Sequence, residues 1–323
     1  MSVLPSGAPV AVRRLPHSVP EHYYRILRTP DYRRWRSFVG VMAALFGVVA
    51  VLPLVASPLL IVPALVQGFD PLHYVAQLAE LVTITPVVLA YINVTLGLLI
   101  PLCWLLIRFF HYMRPRWLAS VRPGMRWGLL ARCAGFAVAL SLLQLVAMAF
   151  VLPPIEGSVS DAPPVGERLI ALAIVALTTP FQSAGEEYLF RGYLSQAIGA
   201  LTRTPLVPIF VTSVLFAAAH GAQDLPLFCD RLAFGLIAGW LVWRTGGLEA
   251  AIAMHAVNNL LALGIAIAVG ALSSTLVVTG TSWWVAIVDI AMLLAFAAVV
   301  SWWCRRTGVR TRTEASGVPA VAG

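Results

Sequence analysis

Eight long apolar stretches set the terms for this chain, near 38–62, 86–109, 128–152, 168–190, 205–222, 231–244, 247–270 and 281–303. A helix that crosses a bilayer needs about 20 mostly apolar residues, because each residue advances only ~1.5 Å through a hydrocarbon layer ~30 Å thick. Inside that layer every backbone N–H and C=O must find its partner within the protein, and consecutive long apolar segments meet this demand as helices. The predicted fold class is therefore all-α: a polytopic membrane helical bundle with about eight transmembrane helices. The weakest span is 231–244, which is short, contains Gly235 and Gly239 and runs almost directly into the next. Residues 64–85 are half apolar and fit an interfacial helix.

Composition excludes a water-soluble domain: of 323 residues 60% are hydrophobic and 11% charged, with a mean hydropathy of +0.87. All 22 basic residues are arginine, the usage of a GC-rich, bacterial genome, and the formal charge is +8. That excess does not point to nucleic acid, because the arginines gather beside the spans. Seven lie in the N-terminal tail (Arg13, Arg14, Arg25, Arg28, Arg33, Arg34 and Arg36), others at Arg114, Arg116, Arg122 and Arg126, and the last four at Arg305, Arg306, Arg310 and Arg312. The loop at 153–167 carries Glu156, Asp161 and Glu167 and no arginine. Eight crossings with both termini cytoplasmic put each group on the side that the positive-inside rule expects. The expected partner is the lipid bilayer, and the expected location the cell membrane, as a multi-pass integral protein. Residues 1–37 lack the compact apolar core of a signal peptide, so the first span is expected to stay as an anchor. The chain divides into a basic cytoplasmic tail (1–37), N-terminal transmembrane helices (38–160), a functional core (165–270), a final transmembrane helix (281–303) and a second tail (304–323). Both tails read as disordered. Cys103, Cys133, Cys229 and Cys304 are scattered, with no CxxC pair or metal-finger spacing.

Function is carried by ionisable residues at membrane depth, where each costs several kcal/mol unless paired or wetted. Glu186 and Glu187 are adjacent, with Arg191 one turn on. Glu187 and Arg191 are four apart on one helical face and can pair; Glu186 points about 100° away and is free to meet a neighbouring helix. A carboxylate so placed suits a general base, while the alternative is a helix-end cap with a snorkelling arginine. His220 ends the run Phe216–His220, whose alanines allow close helix approach. His255 and Asn259 are also four apart; an imidazole and an amide side by side can hold an oxyanion, or serve as interhelical hydrogen-bonding groups. Together the residues make up a hydrolytic constellation.

The ordered set Glu-Glu-x-x-x-Arg at 186–191, Phe-x-x-x-His at 216–220 and His-x-x-x-Asn at 255–259 resembles the CPBP family, the CAAX-protease and bacteriocin-processing (Abi) intramembrane proteases. The resemblance covers roughly 165–270. It implies a membrane-embedded endopeptidase with a cavity open to the cytoplasm, hydrolysing a peptide bond near the cytoplasmic face. In that scheme Glu186 and His220 activate the attacking water, His255 and Asn259 support the oxyanion, and Glu187 with Arg191 orients the site. The implied partner is a peptide or protein substrate entering from the membrane or the cytoplasm. The motif spacing dictates no cofactor. The HExxH signature of zinc peptidases is absent, and a metal-free glutamate mechanism is favoured; a Zn2+ ion, if bound, would take Glu186, His220 and His255. The competing readings are a catalytically silent scaffold or bacteriocin-immunity protein of the same fold, and an ion-coupled transporter. The second is disfavoured because the polar cluster has no counterpart in the first half of the chain.

Outside the motifs, Asp289 lies midway along the last span and reads as a polar packing contact. Asp224, Asp230 and Arg231 read as solvated residues of a non-cytoplasmic loop, and Glu249 as a helix-starting carboxylate. His17, His22, His73 and His111 fall outside the spans and carry no assigned role.

Overall fold

The computed structural model describes residues 16–70, 84–151, 163–221, 223–270, 272 and 281–315. Its eight main helices correspond one to one with the eight apolar runs: α1 (Arg34–Val66), α2 (Pro86–His111), α3 (Trp127–Phe150), α4 (Val165–Gly199), α5 (Leu206–Ala218), α6 (Leu225–Thr245), α7 (Glu249–Ala268) and α8 (Trp283–Arg306). Seven are long and apolar enough to span a bilayer; α5 is the short one. The sequence placed the weakness elsewhere. The segment expected to be marginal, 231–244, belongs to the full-length α6, which begins six residues earlier. Asp224 caps that start by accepting from Leu227 N–H at 3.0 Å, and Pro226 occupies the first turn. Gly246, at φ +70°, ends α6 in the left-handed conformation that glycine adopts without strain. Of the expected interfacial helix at 64–85, residues 71–83 lie outside the described residues.

The helices run alternately up and down, and one end of the bundle collects both ends of the chain. There Thr313 N–H donates to Glu21 O and Glu21 N–H to Thr313 Oγ1, each at 2.9 Å. The chain on either side of α3 and α6 is joined at the same end by Val121 N–H to Gly246 O (2.8 Å) and Leu248 N–H to Ala119 O (2.9 Å). The described parts of the tails, residues 16–33 and 307–315, therefore depart from the disorder expected of them, while residues 1–15 and 316–323 lie outside the described residues. Tyr23, Ile26 and Leu27 are buried in the main core. The Tyr23 hydroxyl donates to Leu118 O and Arg28 Nε to Ala200 O. Gly199 makes room for this docking, since a Cβ there would stand 2.3 Å from Tyr24 O. What covers the tail is its own apolar pattern, which the many arginines around it obscure.

Packing is uneven along the helices. Almost every residue is buried over 182–199 in α4 and 249–255 in α7, and most are over 234–245 in α6. Residues 165–181, 225–233 and 256–265 of the same helices are mostly half-buried or exposed. The solid half is the half nearest the chain ends. Two devices hold it. Gly185 lets α4 press onto α2, a Cβ there meeting Leu96 O at 2.0 Å, and at the edge of the looser half Asn93 of α2 extends this contact by donating to Thr178 and Thr179 of α4 at 2.8 and 3.1 Å. At the start of α7, Glu249 is fully buried and takes a forked pair from Arg126 (Nε to Oε1 2.8 Å, Nη2 to Oε2 2.7 Å) plus the Arg126 backbone N–H. Gly247 leaves space for the fork.

Removing one partner of a buried pair strands the other. Glu249→Ala is expected to destabilise the protein by about 3–5 kcal/mol, read as a lowered unfolding midpoint in detergent, with the paired change Arg126→Met/Glu249→Leu recovering most of the loss. The docked tail should also respond to pH. His17 is 1% exposed, lies edge-on to Trp117 and hydrogen-bonds Ile26 O through Nε2 at 2.7 Å. Burial lowers its pKa below the ordinary 6.5, against the opposing pull of the Ile26 carbonyl and Glu21, and His22 shifts the same way. The docked tail thus holds fewer protons than the free tail, so docking is complete above about pH 6.5 and weakens as pH falls below it. Hydrogen exchange at Tyr23–Leu27, corrected for intrinsic rates, should be faster at pH 5.5 than at 7.5, and His17→Gln/His22→Gln should remove the difference.

Candidate active site

The Glu186–Glu187 pair lies where the solid half of α4 begins, thirteen residues before its end at Gly199, or about 20 Å of helix. Immediately after it the helix widens into a π turn, Tyr188–Leu194, which contains Arg191. Such turns are rare and concentrate at functional sites. Glu187 is fully buried and Arg191 is 1% exposed. Their expected pairing is present: Arg191 Nη1 donates to Glu187 Oε1 at 2.9 Å. The guanidinium lies over the rings of Phe216 and Phe234, 4.3 and 5.6 Å from their centroids, which gives the buried cation a second source of stabilisation.

The same Glu187 oxygen holds a third group. His255 Nδ1 lies 2.8 Å from Glu187 Oε1; because a carboxylate oxygen only accepts, Nδ1 is the donor. This leaves His255 Nε2 facing Glu186 Oε2 at 3.3 Å. The ring is fixed from its sides by Phe234 and Phe216, at centroid distances of 4.9 and 5.8 Å. Glu186 Oε2, Glu187 Oε2 and Arg191 Nε and Nη2 are buried with no hydrogen-bond partner among the described residues, so polar capacity remains at the centre of the site.

Not every expected pairing forms. His220 does not meet Glu186: among the described residues no carboxylate lies within 4 Å of its ring, and the imidazole on Glu186 is that of His255. His220 sits in the turn after α5, donating Nδ1–H to Phe216 O at 2.8 Å, with its ring 4.7 Å from that of Phe216. Its Nε2 makes no hydrogen bond among the described residues. The His255–Asn259 donor pair is also not assembled. Asn259 gives its amide N–H groups to Gln182 Oε1 (3.1 Å) and Ser183 Oγ (3.3 Å), and Ser183 in turn donates to Gln182 Oε1. Gln182 and Ser183 were missed by the sequence reading, yet they stand four residues before Glu186 and Glu187, and continuing the same helical faces back one turn finds them. Phe234 gave no such signal.

The residues proposed as a zinc set do not fit one as arranged. Both nitrogens of His255 are turned to carboxylates, His220 is apart from Glu186, and no group of three His, Cys, Asp or Glu side chains suited to a metal occurs among the described residues.

Outside the motifs, Asp230 and Arg231 are corrected: both lie on α6, half-buried, not in a solvated loop. Asp230 faces the buried Asp289 of α8, and Gln144 of α3 donates to Asp289 Oδ1 at 2.6 Å.

Residues 167–261, which span all three motifs, match the family model of type II CAAX prenyl endopeptidases, Rce1-like. The chain is also 30% identical over 245 residues to the uncharacterized protein YyaK of Bacillus subtilis (strain 168), an alignment covering 72% of this chain and 81% of the relative. No solved structure matches. With its motifs, its all-helical bundle and a relative matched over most of its length, this chain belongs to the Rce1-like CAAX-protease (CPBP) family of multi-pass integral membrane proteins.

Proposed function

We propose that the chain is an intramembrane endopeptidase that hydrolyses a peptide bond with water activated by Glu186. The observation that carries this reading is the bridging role of Glu187: one oxygen takes both Arg191 Nη1 and His255 Nδ1, which fixes the His255 ring with Nε2 on Glu186. Glu186 is the carboxylate of the pair with no arginine bonded to it, so it has an oxygen to spare for water. In the proposed step the water oxygen forms the bond to the scissile carbonyl carbon as its proton passes to the Glu186 carboxylate. Glu186 then returns the proton to the leaving amine as the C–N bond breaks. His255 orients Glu186, and Glu187 with Arg191 orients His255, an arrangement with the logic of a base steadied by a third group. His220, with Nε2 open, is placed to hydrogen-bond substrate. Asn259 serves the oxyanion only if its amide leaves Gln182 and Ser183.

The substrate is a peptide or protein segment that enters the open half of the bundle from the membrane or its surface. The end that gathers the chain ends also gathers most of the arginines, which supports placing that end in the cytoplasm. The scissile bond is then held well inside the bilayer, where fixed dipoles act with little competition from bulk water, and it is reached from the half opposite the cytoplasmic end, not through the cavity open to the cytoplasm that the resemblance implied.

Glu186→Gln keeps the shape of the side chain and removes the base. Purified in nanodiscs, it should lose at least ~10²-fold of peptide cleavage, the low end of general-base contributions, while its unfolding midpoint stays within about 2 °C of the parent. Cleavage that survives this change sinks the assignment. Because the side chains as arranged do not fit zinc, activity should persist after dialysis against a strong chelator. Loss of activity there, restored by zinc alone, would overturn the metal-free mechanism.

A further inference from the structure

Arg231 is an unexplained cation at the edge of this site. It lies on α6 three residues before Phe234, on the same helical face and one turn further into the open half of the bundle. The Phe234 ring packs on His255, so the arginine stands one turn from the ring that fixes the imidazole. Its Nη1 donates to Gln223 Oε1 at 2.7 Å, and Gln223 Nε2 donates to Ala217 O at 2.7 Å, which ties the guanidinium to α5 beside Phe216. Asp230, Glu186 and Asp224 attract it from beyond contact distance, and His220 is also within its electrostatic reach.

The acids nearest Arg231 in sequence make their close contacts elsewhere. Asp224 gives Oδ1 to Leu227 N–H and Oδ2 to Thr281 N–H. Asp230, next in sequence and so about 100° around the helix, is turned to Asp289. No carboxylate comes within 4 Å of the Arg231 guanidinium among the described residues. Of five N–H donors, one is used among the described residues, on a neutral amide. A half-buried arginine inside an apolar helix, with no carboxylate in direct contact among the described residues and its fork open beside a hydrolytic centre, is costly unless an anion joins it.

We propose that Arg231 determines specificity by binding a carboxylate of the peptide substrate, holding it in the open half of the bundle a few residues from the bond at Glu186. This extends the endopeptidase reading and rests on it for the identity of the ligand as a peptide. The fork of Arg231 matches a carboxylate in two parallel hydrogen bonds. Phe216, Phe234 and the alanines of α5 supply the apolar surroundings in which such a pair is strong. The carboxylate is either the chain terminus or an acidic side chain, and the test separates the two.

The test measures binding on the full chain carrying Glu186→Gln in nanodiscs, by fluorescence anisotropy. The probes are three amino-terminally fluorescein-labelled apolar decapeptides: one with a free C-terminal carboxylate, its C-terminal amide, and the amide with one internal Asp. At least one of the two anionic peptides should bind about tenfold or more tighter than the neutral amide, the scale of a charge-assisted pair; which one does identifies the source. Adding Arg231→Gln should reduce that preference to within twofold, and Arg231→Lys, keeping the charge without the fork, should retain part of it. Equal binding of all three peptides, no binding of any, or a preference unchanged in Arg231→Gln would overturn the proposal. Should Arg231→Gln not fold, a full preference in Arg231→Ala or none in the parent would do the same. Cleavage of the best-bound peptide by the chain with Glu186 intact is scored separately: binding without cleavage rejects the endopeptidase reading and leaves the anion site standing.

Discussion

A single carboxylate oxygen, Glu187 Oε1, accepts hydrogen bonds from two directions, Arg191 Nη1 on its own helix and His255 Nδ1 on α7. In a low-dielectric interior neither the carboxylate nor the guanidinium is tolerable alone, since an isolated buried ion is penalised by several kcal/mol even after relaxation. Each therefore constrains the other, and the local structure follows from that. The π turn carries Arg191; Phe216 and Phe234 offer their faces to the guanidinium because no second carboxylate reaches it. The same two rings then close on His255. Aromatic residues from α5 and α6 thus pack against the charged pair on one side and the imidazole on the other, and three helices are fixed around α4 by one ionic contact.

Such a contact keeps its geometry only if the helices on either side cannot slide. Glu249 starts α7 six residues before His255, about 9 Å of helix, and the Arg126 fork holds that start to the loop before α3. Gly185, directly before the two glutamates, seats α4 on α2 so closely that no Cβ is admitted. The docked N-terminal segment closes the same end against Gly199 and Leu118. Rigidity at the chain-end half and looser packing in the other half are what a site needs if it must hold its groups still and yet admit a polymer.

Sequence disclosed the parts of this design that are local. Eight apolar runs gave eight helices because span length is set by the bilayer and not by tertiary contacts. The Glu187–Arg191 pair was legible because both members lie on one helix at a fixed spacing. Contacts between helices were not. Glu186 was assigned to His220, but nothing in a sequence says which of two imidazoles on different helices will face a carboxylate, and the Nδ1 bond that fixes His255 comes from the neighbouring Glu187. Arg231 and Asp230 were read as solvated because hydropathy trims the polar first turns from a span; Asp224 as a cap and Pro226 in the first turn were the better markers of where α6 begins. In the tail, arginines masked Tyr23, Ile26 and Leu27, whose three- and four-residue spacing is that of one buried face.

The contacts between α4 and α7 explain why two adjacent glutamates are needed. Glu187 meets His255, and one turn back Ser183 meets Asn259, one turn on. The two rungs advance by four residues on each helix in opposite directions, as an antiparallel pair requires. Two rungs on one seam fix the rotation of both helices about their axes, which one rung would not. With Glu187 and Ser183 on the seam, Glu186 is carried about 100° off it, out of the ladder yet beside the far edge of the imidazole that the ladder fixes. If the first glutamate joined the seam, its oxygens would be consumed by helix packing; if the second left it, His255 would lose its orientation. In the proposed mechanism the base must be held by its neighbours and still have an oxygen available for water, and adjacent residues of one helix, one bound in the seam and one beside it, provide that combination.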